Sequence, residues 1–152
     1  MSPKKLEIGN RRYVVVKKDE IRICDDGSNK CATFTYPRWA NFVKQFDKID
    51  QSIAENDGDV KLQLHIGGGW FVSVTSYVDI RKFCRPPDAG ARPTRTGIAL
   101  RLREWSRLKA AANKIRRRYP KVARAQPCRW EATHYNQEGA MACSECNPFN
   151  DW

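Results

Sequence analysis

The sequence predicts an α+β protein built as two tandem ββββα domains, each an antiparallel sheet plus a helix, packed as an intramolecular pseudo-dimer with a small zinc-stapled C-terminal tail. Three observations predict it. The first is an internal repeat: Leu6-Glu7-Ile8-Gly9 followed by Tyr13-Val14-Val15-Val16 returns 58 residues later as Leu64-His65-Ile66-Gly67 and Phe71-Val72-Ser73-Val74. Trp39 and Trp105 recur at an offset of 66, each at the start of a helical pattern. The extra eight residues fall in the loop Arg85–Pro93, rich in Pro and Gly, where an insertion costs little. The second is a switch from period-two to helical spacing within each copy. The third is a tail with neither period but with clustered Cys and His.

In the first domain, residues 1–57, Leu6 and Ile8 alternate, and Tyr13–Val16 follow the Gly9-Asn10 turn as a β-branched strand. Ile21 and Ile23 alternate next, Asp25-Asp26-Gly27-Ser28 turns the chain, and Ala32–Tyr36 make a fourth strand. Pro37 suits a first helical turn, and Trp39, Phe42, Val43, Phe46, Ile49 and Ile53 keep helical spacing in one continuous helix. Asn56 to Asp59, around Gly58, form the linker. The second domain, residues 60–119, repeats the order with strands at Leu62–Ile66, Trp70–Val74, Val78–Phe83 and Ile98–Leu102, and a helix over Glu104–Arg118. A four-stranded sheet and one helix in about 55 residues bury too little alone, and two copies packed through their helices solve that. Residues 120–152 read as a separate appendage.

The 152 residues carry 28 Lys and Arg against 17 Asp and Glu, a net charge of +11. Residues 1–60 hold 11 basic and 10 acidic side chains, residues 61–125 hold 16 and 3, and residues 126–152 hold 1 and 4. The middle segment, at +13, is therefore where an anion should bind, and nucleic acid heads the partners. No apolar run approaches the ~20 residues that span a bilayer, and the N-terminus leads into polar sequence, so neither a membrane nor a secreted protein is expected.

Ser76–Phe83, Arg92-Pro93-Thr94-Arg95-Thr96-Gly97 and Ile98–Lys109, with Ile66-Gly67 and Phe71–Val74 upstream, together resemble the C-terminal domain of the positive cofactor four family of transcriptional coactivators, which bind single-stranded DNA. The first copy keeps Ile8-Gly9, Arg12–Val16, Trp39 and the amphipathic helix, so the resemblance covers about residues 5–118. It implies a curved sheet and helix per domain, dimerised through the helices, with strands of DNA held in the sheet grooves by basic and aromatic side chains. Carried over by position, Arg81, Arg92 and Arg95 match basic contact positions, and Arg12 and Lys17 fall at basic strand positions of the first copy. The sequence departs from the family in a shortened loop, Thr75-Ser76-Tyr77, and in Cys84, where the family places a tryptophan.

The residues themselves point the same way, because single-strand binding needs cations for phosphates and flat rings for bases. Arg81, Lys82, Arg85, Arg92, Arg95, Arg101 and Arg103 supply the first, although Arg81 and Lys82 must face opposite sides of a strand. Trp70 and Tyr77 suit stacking or packing equally; Trp39 and Trp105 suit packing, and His65 alternates outward. The run Arg116–Arg124 fits a nuclear import signal, a phosphate clamp or a solvated helix end.

Cys128, His134, Cys143 and Cys146 give a C-x5-H-x8-C-x2-C spacing, a four-ligand set for one Zn2+ that would staple a tail of little apolar content. A disordered tail or oxidised thiols are the alternatives. Cys24 and Cys31 flank a hairpin turn and could meet across it, but without a secretory context free thiols are expected. No nucleophile motif, carboxylate pair or phosphate loop is present, so no enzyme is expected. The sequence reads as a nuclear, non-enzymatic single-stranded nucleic-acid-binding protein of transcription, replication or repair, with DNA the first choice and RNA the second. Proteins of the transcription machinery are candidate partners, and a further homodimer is compatible. An adaptor binding protein partners through the near-neutral first copy and the tail, and an accessory of a mobile or viral element, are the rival readings.

Overall fold

The computed structural model describes residues 4–55, 62–87, 90–128 and 143–149. Two antiparallel four-stranded meanders form its frame. β1 (Lys5–Gly9), β2 (Arg12–Val16), β3 (Glu20–Asp25) and β4 (Lys30–Thr35) pair in chain order, as do β5 (Leu62–Gly67), β6 (Trp70–Val74), β7 (Val78–Cys84) and β8 (Arg92–Leu100). The two sheets share a register at the 58-residue spacing. Gly9 pairs with Arg12 and Gly67 with Trp70, each just past a bulge, after Glu7 and His65 respectively.

Period-two alternation sends Ile8, Val14, Val16, Ile21, Ile23, Ala32 and Phe34 inward from the first sheet. Ile66, Val72, Val74, Val78, Ile80, Ile98 and Leu100 do the same from the second. Each fully buried large aliphatic or aromatic side chain contributes roughly 1.5–3 kcal/mol of hydrophobic stabilisation. All of them join one core cluster with Trp39, Phe42, Ile49, Trp105, Leu108 and Ile115. The α+β reading thus holds, with one core shared by both halves.

The helices differ from expectation in detail. Thr35 caps α1 (Tyr36–Lys44), its hydroxyl accepting from Arg38 N at 3.2 Å, and Pro37 sits in the first turn. The single helix expected from Pro37 to Ile53 is two, because Gln45 (φ −91°, ψ −3°) donates its N–H to Phe42 O at 3.0 Å and tightens the last turn before α2 (Phe46–Ala54) starts. α3 (Leu102–Arg118) begins two residues earlier than its apolar period suggests, because Glu104 caps it, accepting from Arg101 N at 3.0 Å. β8 is longer than the apolar stretch 98–102, because the polar segment ahead of it pairs with the end of β7, Pro93 opposite Phe83 and Arg92 opposite Cys84.

The helices cross between the halves. α3 packs on β1 and β2 of the first sheet, α1 and α2 on β5 and β6 of the second, and β4 runs against β8. Trp105 meets Phe42 and Phe46 at ring centroids of 6.0 and 5.0 Å and donates its indole N–H to Asp50 at 2.8 Å. Asn41 donates to Ile66 O at 2.9 Å, and Arg12 pairs with Glu104 at 2.9 Å. Such directed polar bonds fix the register of an otherwise apolar seam.

The segment after Tyr119 is not an appendage over its described part. α4 (Pro120–Arg124) places Val122 in the core cluster and packs on α1 and α3. Residues 143–149 form turns against the β5–β6 hairpin, where Gly68 N donates to Glu145 O at 2.8 Å. Among the described residues no helix is long and apolar enough to cross a membrane. The expected linker around Gly58 lies outside the described residues.

Candidate nucleic-acid interface and metal centre

The register of the second sheet sorts its side chains into rows. Trp70, Val72 and Val74 point into the core, so their neighbours Phe71 and Ser73 point out. One outward row crosses the strands as His65, Phe71, Arg81 and Gly97, and the next as Gln63, Ser73, Asp79 and Ala99. His65 and Phe71 have ring centroids 5.0 Å apart, and Phe71 and Phe83, diagonal across β6 and β7, 4.5 Å apart. The result is a ladder of three rings across one sheet face, beside a cation, with His65 and Phe71 half-buried and Phe83 buried at 8% exposure. Arg81 is held flat there, paired with Asp79 at 3.0 Å and donating from Nη1 to Thr94 O at 3.1 Å. Gly97 permits the close approach of β8, since a Cβ there would stand 2.7 Å from Arg81 Cα.

Basic side chains rim this face. Arg92 and Arg95 are exposed at the end nearer Phe83, while Lys82, opposite Trp70, has the other parity on β7. At the other end Arg101 and Arg103 are exposed past the end of β8, and with Arg107, Gly9 and Asn10 they line a cleft of about 390 Å³. Tyr77, 47% exposed in the β6–β7 turn, lies at that same end. Of the aromatic residues expected at the interface, Trp70 is elsewhere: at 6% exposure its indole is a core residue, because it shares the inward parity of Val72 and Val74. Phe71 takes the outward place. The alternation of β6 carried that signal in the sequence.

The first sheet presents different chemistry in the matching rows. Glu7, Tyr13, Cys24 and Cys31 stand where the second sheet has His65, Phe71, Arg81 and Gly97. Cys24 and Cys31 are bonded as a disulfide, not free thiols; directly opposite across β3 and β4, with Cα atoms 4.2 Å apart, they are brought together by the hairpin register itself. Arg12 is bound into the seam by Asp25 at 3.3 Å and Glu104 at 2.9 Å. Lys17 is half-buried in the β2–β3 turn, where its carbonyl accepts from the Tyr36 hydroxyl. Neither lies on the ring-bearing face.

Cys128, Cys143 and Cys146 converge, their Sγ atoms all within 4.8 Å of one another and those of Cys128 and Cys143 at 3.7 Å. Three thiols at this spacing can hold one metal ion. Burial pushes the Cys128 thiol up to about 12, aided by the neighbouring sulfurs. Burial also acts on Cys143, but the backbone N–H groups of Cys146 and Glu145 outweigh it, and that thiol lies below its ordinary value. The backbone N–H groups at Cys143 thus favour its thiolate form, the form in which a thiol binds a metal. His134, expected as the fourth ligand, lies outside the described residues.

No curated protein and no solved structure matches the chain. Residues 74–111, the stretch from the last residue of β6 through β7, β8 and most of α3, match the family model described as Transcriptional Coactivator p15 (PC4). That stretch, a quarter of the chain, carries Arg81, Arg92, Arg95, Arg101 and Arg103. The second half of the protein therefore contains a region similar to the Transcriptional Coactivator p15 (PC4) domain.

Proposed function

We propose that this protein binds single-stranded nucleic acid, DNA before RNA, on the outer face of its second sheet, and acts without catalysis as a cofactor of transcription, replication or repair in the nucleus. The observation that carries this is the ladder His65, Phe71 and Phe83 beside Arg81, with a basic rim at both ends. The half-buried rings of His65 and Phe71, backed by the buried Phe83, offer stacking to unpaired bases and nothing comparable to a duplex, whose bases are already stacked. The similarity to a coactivator family over residues 74–111 supports the same reading. The crossing helices and the shared core support a tandem pseudo-dimer, in which the first domain completes the core and the second carries most of the affinity. Zn2+ suits the sulfur-rich cluster, with Cys128, Cys143 and Cys146 as ligands and His134 the fourth.

The test titrates labelled single-stranded and duplex oligonucleotides at two salt concentrations. The expected result is a preference for single strands, weakening with salt in proportion to the phosphates neutralised. Equal affinity for both forms, unaltered by Arg81→Ala with Arg95→Ala, would overturn it. For the metal, one zinc per chain is expected, lost in Cys143→Ser.

The first sheet favours a second role. Its outer row of Glu7, Tyr13 and a disulfide has one ring, with Lys5 Nζ 4.3 Å from its centroid, in place of a ring ladder, and the acid and disulfide beside that ring suit a protein surface better than a polyanion. Protein partners of the transcription machinery would dock there, so that the chain bridges a strand and a protein. Cross-linking from position 13 tests it.

A further inference from the structure

Glu145 lies between two members of the sulfur cluster, Cys143 and Cys146, and reaches out of it. Its carboxylate takes Nε and Nη2 of Arg38 at 2.8 Å each, a bidentate pair, while its carbonyl accepts from Gly68 N at 2.8 Å. Arg38 belongs to the first turn of α1 in the first half, and Gly68 to the β5–β6 turn of the second. One residue of the cluster thus bridges both halves.

The opposite side of the seam shows what this replaces. There Glu104, in the first turn of α3, lies over Gly9 of the β1–β2 turn and pairs with Arg12. The matching positions at offsets of 66 and 58 are Arg38 and Gly67, so the first helix carries a cation where the second carries the acid. Glu145 supplies the missing carboxylate from the tail: a Cβ on Gly67 would meet it, as one on Gly9 would meet Glu104.

The turn so gripped is both weak and consequential. Gly67, Gly68 and Gly69 have φ of 129°, 61° and 85°, all in the region that favours glycine, and three successive glycines are costly to order. Gly69 N donates to His65 Nε2 at 3.1 Å, and Gly69 O accepts from Phe83 N at 2.8 Å. Two rings of the ladder therefore depend on this turn for their positions.

We propose that the metal centre is a strap: an ion joining Cys128, Cys143 and Cys146 seats Glu145 on Arg38 and on Gly68, and so holds the glycine turn that positions His65 and Phe83 for strand binding. The strap stands on its own geometry, and only its effect on affinity rests on the proposed function. Without the ion the segment 143–146 loses its anchor to Cys128, its hold on Arg38 and Gly68 loosens, and the turn is released.

The test uses the full chain loaded with one equivalent of Zn2+, the same chain after chelation, and Glu145→Ala loaded with Zn2+. Amide exchange is read at Gly68 and Gly69, and single-strand affinity is read alongside. Chelation should speed exchange at both amides at least ~10-fold, the loss expected from releasing a bidentate charged pair and a backbone hydrogen bond. Glu145→Ala should give most of that increase while retaining its zinc, because residue 145 grips the body rather than the ion. Strand affinity should fall about threefold to tenfold in both cases. Exchange indifferent to chelation, or a Glu145→Ala chain as protected as the parent, overturns the strap. Affinity unchanged by chelation, in a parent that does bind strands, overturns the coupling to binding. A zinc-loaded parent that binds no strand overturns the proposed function and leaves the exchange result to judge the strap.

Discussion

Cys24 holds in the first sheet the place that Arg81 holds in the second. Cys24 pairs with Tyr13 on one side and Cys31 on the other, as Arg81 pairs with Phe71 and Gly97. Two sheets with one register therefore present unlike faces: a cation with rings on one, a disulfide with a carboxylate on the other. Charge is not what distinguishes them first, since exposed cations occur on both. The first face has a cation over a ring, Lys5 Nζ 4.3 Å from the Tyr13 centroid, but among the described residues no ladder of rings.

That asymmetry makes the first prediction. Phe71→Ala should weaken single-strand binding about tenfold, within the roughly 1–3 kcal/mol that stacking one base is worth. Arg81→Ala should do at least as much and reduce the salt dependence. Tyr13→Ala, the matching change in the first sheet, should shift affinity less than about threefold. Fluorescence titration of all three, with circular dichroism to confirm folding, decides it. Equal losses from Phe71→Ala and Tyr13→Ala would show that both faces bind.

The Cys24–Cys31 bond makes the second. It closes a short loop within a hairpin that the register already holds, so its chain-entropy contribution is small, about 2 kcal/mol. Cys24→Ser with Cys31→Ser should lower the unfolding free energy measured in urea by that amount and leave strand affinity unchanged, since the bond lies on the other sheet. A reducing agent should reproduce the shift in the parent and have no effect on the double variant.

Much of this was legible in the sequence, and the parts that were not have physical reasons. The 58-residue recurrence places β6 at its bounds and β1, β2 and β5 to within one residue at an end, because turn and apolar parity recur. Trp70, open between stacking and packing in the sequence, is decided for packing by its parity on β6. The disulfide was missed because composition speaks to compartment, whereas the pairing of Cys24 with Cys31 is a matter of hairpin register. Glu145 gave no local signal at all. Its partner, Arg38, lies 107 residues away, and only the comparison of Arg38 with Glu104 shows that an acid was wanted there.

Asp25 makes a third prediction, in pH. Burial pushes its carboxyl up, but the Gly27 N–H at 2.8 Å, the Arg12 guanidinium and the Ser28 side chain outweigh this and hold it below its ordinary value. A depressed carboxyl stabilises the fold fully above its unfolded value of about 3.9 and loses that contribution as pH falls through the folded value. The thermal midpoint of the parent should therefore exceed that of Asp25→Asn at pH 6, and the gap should close between about pH 4 and the onset of acid unfolding. A gap that persists at pH 3 would mean that Asp25 acts through shape rather than charge.

Glu104 and Gly9 make the last. The Glu104 carboxylate lies where a Cβ of residue 9 would stand, and it also accepts from Arg12 at 2.9 Å and from Arg101 N at 3.0 Å. Gly9→Ala must displace that carboxylate, and the displaced group loses both bonds. The side chain is flexible, so the displacement itself is cheap and the cost is that of the bonds, about 1–3 kcal/mol. Glu104→Ala removes the same bonds directly and should cost a similar amount. The two changes should then fail to add: in the Glu104→Ala background the collision is gone, and Gly9→Ala should be neutral or stabilising by up to about 0.5 kcal/mol through backbone entropy. Urea denaturation of the four proteins in the cycle measures this. Additive costs would mean that the two residues do not touch, and that the halves of the protein meet elsewhere.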